Sequence, residues 1–239
     1  MIIDLDTIVG FWPWRHVDIS IERLLALMAH KRIERACVCS ARGICYDYVA
    51  GNSETLMLAA EHPALIPVAT LDPREYVHCR GELHRMVAQG VRLFRLFPEY
   101  QAWSVDSPAA QRVVGMVEEA GGILLIGGTP GAILPMIRRI STPVILTMAH
   151  LYQLSDLLVA AEQCPQLYAS TRLLIGPRAI ETAAAYMGHE RLLFGSHAPL
   201  AYQASALRMV TTAALSEEQR AAILGGNLQR LLGGSNGHR

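Results

Sequence analysis

The sequence predicts an α/β protein, a single (β/α)8 TIM barrel over residues 1–239, and three observations carry that prediction. Eight short runs rich in branched residues alternate with segments of helical spacing from one end of the chain to the other. The units recur at roughly 30 residues, which fits a compact eight-unit barrel of about 250 residues. Polar residues fall at the C-terminal ends of the runs, as Asp6, Ser40, Asp72, Arg95, His150, Thr171 and His197. A closed barrel gathers such residues into one ring, whereas an open doubly wound sheet concentrates them at a switch point. The first run, "MIIDLD", is not followed by G-x-G-x-x-G or a Walker loop, so no dinucleotide or phosphate crevice is signalled.

The predicted strands are 2–6, 36–40, 66–71, 91–97, 123–127, 144–148, 167–171 and 192–195. Between them, Ile21-Leu24-Leu25-Met28, Val113-Met116-Val117-Ala120 and Leu154-Leu157-Leu158-Ala161 each place an apolar stripe opposite a polar face. Asn52 is predicted to cap the helix that follows the second strand. His62-Pro63, Asp72-Pro73, Gly121-Gly122, Thr142-Pro143, Cys164-Pro165 and Gly176-Pro177 mark the joints. Near the C-terminus, Ser216 and Gln219 fit a capping box, and Gly225-Gly226 are expected to stop that helix before a short turn led by Asn227.

Composition narrows the function. With 21 Lys+Arg against 21 Asp+Glu, the chain has no basic field to attract nucleic acid or anionic lipid, and a small-molecule partner is expected. No basic lead-in with an apolar core opens the chain, and no apolar run reaches the roughly 18 residues of a membrane span. A cytoplasmic, soluble protein is the expectation. Five cysteines without a CxxC pair read as reduced thiols. Cys37 and Cys39 share one face of a strand as small core residues, with Cys39 or Cys45 left as the candidate nucleophile.

The stretch "GSHAPL", 195–200, ends an apolar strand in a histidine, the side chain most easily charged and discharged near neutral pH. Together "RLLFGSHAP", "VILTMAHL", the opening "MIIDLDTIVG" and the tail "LSEEQRAAILGGNLQRLLGG" resemble the amidohydrolase-related family. This is the TIM-barrel branch of the amidohydrolase superfamily that holds small metal-dependent hydrolases and decarboxylases, and the resemblance covers essentially the whole chain. In that family the first strand normally reads "IDxHxH" and gives two imidazoles to a divalent metal; the matching positions here are Asp6 and Ile8. The histidine that usually ends the fifth strand is matched by Gly127, and the sixth-strand histidine survives as His150. The eighth strand usually reads "GSDxP", whose aspartate is a metal ligand and general base, and His197 stands there.

Three readings of this mouth follow. In the first, Asp6, His150 and His197 hold one divalent ion such as Zn²⁺ with an open position for water. In the second, no metal binds and Asp6 orients His197 or His150 as a general base. In the third, the site is silent and the barrel binds a small molecule or a partner. The resemblance implies a hydrolase acting on a small, carboxylated or cyclic substrate, with decarboxylation of a small acid as the further alternative.

The substrate-binding candidates lie in the loops of the same face. In "VRLFRLFPEY", alternation puts Arg95 on one face with Leu93 and Phe97, where its guanidinium suits a substrate carboxylate or a salt bridge to Asp4 or Asp6. Glu99 and Tyr100 follow directly. The segment "GFWPWRHV" offers Trp12 and Trp14 as a pocket wall that Arg15 or His16 closes, with packing at the rim or against another copy in a homo-oligomer as the other use.

Overall fold

The computed structural model describes residues 1–233. Its eight strands are all parallel and run in chain order around the barrel. They are β1 (Ile3–Val9), β2 (Arg35–Ser40), β3 (Leu65–Thr70), β4 (Leu93–Leu96), β5 (Ile123–Ile126), β6 (Val144–Leu146), β7 (Leu167–Ser170) and β8 (Leu192–Leu193). The chain beyond β8 closes the circle. The Leu5 N–H donates to the Phe194 carbonyl at 2.9 Å, Ile8 N–H to Ala198 at 3.0 Å, and His197 N–H to the Asp6 carbonyl at 2.7 Å. Every predicted strand is present, and the barrel prediction holds.

Side-chain alternation sorts the apolar residues into two cores. Leu5, Cys37, Cys39, Val68, Leu93, Phe97, Leu125, Ile145 and Leu193 fill the barrel. Val38, Ala69, Phe94, Leu96, Leu124, Ile126 and Leu146 point outward into the layer beneath the helices. Strand β1 departs from strict alternation. Ile3 and Leu5 face inward on odd positions and Ile8 on an even one, because the pairing with β2 slips between Asp4 and Thr7. Such a slip changes which face a side chain meets, and it brings Asp6 to the inner side with Ile8. The site depends on that one irregularity.

Local signals set most helix starts. Ser20 caps the helix Ile21–Lys31, Asp47 the helix Tyr48–Glu61, Ser107 the helix Pro108–Glu119 and Thr129 the helix Pro130–Ile137. Asn52 is not a cap, since Asp47 holds that position. It lies buried inside the helix, donates to the Thr70 carbonyl at 3.0 Å and to Glu82 at 2.7 Å, and accepts from Thr70 N–H at 2.7 Å. It therefore stitches the helix to the end of β3. The capping box at Ser216 and Gln219 forms as expected. Gly225-Gly226, however, do not stop the helix, which runs on through Asn227–Gly233. A side chain at Gly225 would meet the Met1 carbonyl at 2.8 Å and Ile3, so this glycine serves a close approach to the start of β1. Among the described residues no helix is long and apolar enough to cross a membrane.

Glycine at position 51 is needed for the same reason. A Cβ there would collide with the backbone N and Cα of Gly43 and lie 3.2 Å from the Arg42 carbonyl carbon, atoms that cannot swing aside. Gly51→Ala is expected to lose about 1–3 kcal/mol of stability, the usual cost of overpacking, seen as a lower urea midpoint. Gly81→Ala has open space around it inside the helix Tyr76–Ala88 and is expected to gain about 1 kcal/mol.

Candidate active site

The strand ends surround a cavity of ≈ 600 Å³ on the C-terminal face; His197 lines it, and Asp6 is buried behind His197. Asp6 is fully buried, and its Oδ1 accepts two hydrogen bonds, from Arg95 Nη1 at 2.7 Å and from His197 Nδ1 at 2.9 Å. Its Oδ2 faces the guanidinium of Arg172 at 3.5 Å. Burial opposes the charge of Asp6, but Arg95, His197 and Arg172 together hold its carboxyl well below the usual carboxylate range. Asp6 is therefore an anion at neutral pH. Arg95 is itself buried, its guanidinium 4.4 Å from the centre of the Phe97 ring.

The backbone presents His197 in the left-handed region at φ 62°. Its N–H bond to the Asp6 carbonyl and its ring bond to the Asp6 carboxylate fix both ends of the residue. Burial lowers the imidazole pKa below its usual value, against the opposing pull of Asp6. The ring is thus neutral near pH 7. With Nδ1–H donated to an ionised carboxylate, the lone pair sits on Nε2, which has no hydrogen-bond partner. Asp4, two residues before Asp6, has a different task. It accepts from Ser196 N–H at 3.0 Å, from the Ser196 hydroxyl, from Gln203 at 3.1 Å and from Asp6 N–H at 3.2 Å, tying β1 to the segment after β8. Burial without a cationic partner pushes its carboxyl up to about 6.

The loop residues assemble as a wall. Trp12 lies edge-on to Trp14 and to Tyr100, at 4.9 and 5.0 Å between ring centres, and Trp14 stacks on Tyr100 at 5.6 Å. Trp12 is buried and Trp14 is exposed. Arg15 donates to the Leu200 carbonyl across the opening. Glu99, Arg172 and Tyr100 line the same cavity. Burial pushes the Cys39 thiol up to about 12 and the Cys45 thiol up to about 11, so neither is a poised nucleophile.

Other candidates from the sequence are engaged elsewhere. His150 caps the short turn Leu151–Gln153: its Nδ1 accepts from Tyr152 N–H at 3.2 Å, its ring stacks on Tyr152, and it is a partner of neither Asp6 nor His197. Ser40 donates to Glu54 at 2.6 Å and Asp72 pairs with Arg74 at 2.6 Å. Arg172 is the residue that sequence reading passed over, since the last polar residue of the strand was taken as Thr171. The signal available was a cation immediately beyond a strand end on the catalytic face.

These residues do not fit a divalent metal. The carboxylate available to one is already shared by two guanidinium groups and an imidazole, and a second cation would meet the arginines at close range. Among the described residues, no group of three or more His, Cys, Asp and Glu side chains is placed to hold an ion.

A closed parallel barrel with an acid, an imidazole and loop-borne arginine and aromatic side chains at its C-terminal mouth belongs to the class of (β/α)8 barrels. The amidohydrolase family model matches residues 15–234, and the chain belongs to that family. No curated protein matches it. Among solved structures, it is similar to 5-carboxyvanillate decarboxylase from Sphingomonas paucimobilis, at TM-score 0.81 and 15% identity, covering 97% of this chain and 98% of that one. It is similar to a dihydroxybenzoic acid decarboxylase from Polaromonas sp. JS666 with bound manganese and 2-nitroresorcinol, at TM-score 0.78 and 15% identity over 97% and 96%. A third is described as a probable 2-pyrone-4,6-dicarboxylic acid hydrolase from Acinetobacter baumannii with citric acid bound, at TM-score 0.73 and 15% identity over 97% and 99%. At these identities the likeness shows the fold.

Arg95→Met leaves the Asp6 charge buried with weaker compensation. It is expected to cost about 3–5 kcal/mol, and Arg95→Met with Asp6→Asn together much less than the sum of the single changes, as read from denaturant unfolding. The pH dependence has a fixed sign. The Asp6 carboxyl lies below its unfolded value and the His197 imidazole below its own, so the folded state takes up both protons less readily than the unfolded chain. Their contributions are expected to be complete above pH ~6.5 and to be lost as the pH falls, first from His197 and then from Asp6.

Proposed function

We propose that the protein is an acid–base enzyme that hydrolyses a small carboxylated, ring-bearing substrate without a resident hydrolytic metal. The single observation that carries this reading is the Asp6–His197 pair: Nδ1 is tied to a carboxylate held ionised by Arg95, and Nε2, buried and without a hydrogen-bond partner, keeps a free lone pair on a residue that lines the cavity. In this mechanism Nε2 takes a proton from water as the water oxygen attacks the scissile carbonyl. Asp6 then stabilises the imidazolium through the bond it already makes. Arg172 is the partner for a substrate carboxylate, because its contact to Asp6 at 3.5 Å does not use its remaining donors and it lines the cavity. Trp14 and Tyr100 offer a stacked apolar face for a ring.

A second reading, decarboxylation of a small aromatic acid, is supported by the names of two of the structural relatives. Both readings place the carboxylate at Arg172 and differ in whether water or a proton is added. Each calls for a soluble small-molecule partner, and neither draws on nucleic acid.

Incubation with 2-pyrone-4,6-dicarboxylate and with 5-carboxyvanillate, followed by product analysis, tests the two readings. Turnover of the first with uptake of water supports hydrolysis; release of carbon dioxide from the second supports decarboxylation. His197→Gln is expected to lower kcat by about 10²–10⁴, the usual worth of a general base. Wild-type kcat/KM is expected to fall on the acid side, below pH ~6.5, as His197 takes up a proton. Activity that disappears on chelation and returns with Mn²⁺ would overturn the metal-free mechanism, as would binding of these acids with no turnover of either.

A further inference from the structure

Directly after the fifth strand comes Gly127, with no side chain, and the space beside it is not empty. A Cβ built on Gly127 would lie 2.6 Å from Oε1 and 2.7 Å from Cδ of Glu99, with Oε2 closer still. The carboxyl of Glu99 thus occupies the volume that any side chain at 127 would take. Glu99 reaches it from the short helix Pro98–Gln101 directly after β4, and Pro98 at the first helical position fixes the start of that turn. The residue is open to solvent, yet its carboxyl is folded back over the strand end. It is the one carboxylic acid among the described residues that line the cavity holding His197, Arg172 and Tyr100. Glu99 makes no ion pair with Arg95 or Arg172, which both face Asp6.

We propose that Glu99 is the proton donor of this mouth and that Gly127 is the seat that holds its carboxyl there. The role rests on the hydrolytic reading above. Hydrolysis with a neutral imidazole as base leaves a negative charge on the departing oxygen or nitrogen, and an acid on the cavity wall can protonate it in place of the imidazolium that the base has become. The step balances as follows. Water gives a proton to His197 Nε2 while its oxygen bonds to the carbonyl carbon. The bond from that carbon to the leaving atom breaks, its electron pair staying with the leaving atom, which takes the proton of Glu99. The imidazolium then returns a proton to the Glu99 carboxylate through solvent, and one water has been consumed. Partial desolvation of the carboxyl where it folds over the strand end raises its pKa, against the pull of its own amide, Arg95 and Arg172, in the direction of the protonated form that a donor needs.

Two variants separate this role from a merely structural one. Glu99→Gln removes the acid; Gly127→Ala keeps it but evicts it, because the far end of a flexible side chain yields before the barrel does. Both are expected to lower kcat about 100-fold with KM changed less than about threefold, and Glu99→Gln is expected to abolish the alkaline limb of the pH profile. Full kcat in Glu99→Gln would overturn the proposal, and full kcat in Gly127→Ala alone would overturn the seat. A ¹³C titration of protein labelled at the glutamate carboxyls provides a reading independent of turnover. The resonance absent from Glu99→Gln is expected to titrate above the ordinary carboxylate range in the wild type and to move back toward it in Gly127→Ala. A wild-type midpoint in the ordinary range would overturn the donor. Failure of every tested acid to react defeats the hydrolytic reading and the donor role with it, while the titration still decides the Gly127 seat.

Discussion

The ion pair between Asp6 and Arg95 is the constraint on which the mouth of this barrel depends. A lone carboxylate at that depth would neutralise itself by taking up a proton. The guanidinium at 2.7 Å keeps it charged instead, and the same oxygen then accepts the His197 ring proton. Three results follow from one contact. The imidazole is fixed in the tautomer with a free Nε2, the segment after β8 is drawn onto β1, and the carboxylate is unavailable to a metal ion. The pair is not a gain in stability by itself, since burying two charges costs about what their attraction returns. Its value lies in fixing one arrangement.

Asp4 and Asp6 show how closely environment decides the state of a carboxyl. Both are wholly buried on the same strand, two residues apart. Asp6 meets cations and is held well below the carboxylate range. Asp4 meets only neutral donors, and burial, with some help from the nearby charge of Asp6, pushes it up to about 6. The slip in pairing between β1 and β2 underlies the difference, because it turns Asp6 toward the barrel axis while Asp4 engages Ser196 and Gln203. One strand thus contributes both a chemical group and a closing clasp.

Much of this was legible in the sequence, and the limits have physical causes. Strand runs with branched residues and joints with proline are local signals, so all eight strands stood out. The inward alternation of Arg95 with Leu93 and Phe97 was equally readable, as was a salt bridge to Asp6 as one of its two uses. His150 was not, because a histidine at a strand end reads the same whether it faces the axis or caps the next turn; only its distance from Asp6 separates the cases. Asn52 and Gly225 misled for a related reason. Both are turn-forming residues by composition, and both are instead used for long-range contacts, to β3 and to the start of β1, that no local pattern reveals. The pairing of Glu99 with Gly127 joins positions just beyond two adjacent strands and becomes visible only when the barrel is assembled.

The exchange of charge types at this mouth bears on what chemistry it can run. A divalent ion in such a barrel would hold a carboxylate, polarise a carbonyl and supply hydroxide near neutral pH. A guanidinium can do the first as well or better, with a planar fork matched to a carboxylate. It cannot do the last, because it neither gives up a proton nor offers a coordination position to water. Proton transfer must therefore come from groups that titrate, and among the cavity-lining residues the poised ones are His197 and Glu99, shifted in opposite directions by desolvation. Burial leaves the His197 imidazole neutral as an acceptor, and partial desolvation shifts the solvent-open Glu99 carboxyl toward the neutral form of a donor. Desolvation thus prepares a complementary acid and base at one mouth, while Asp6 is kept ionised by its arginines.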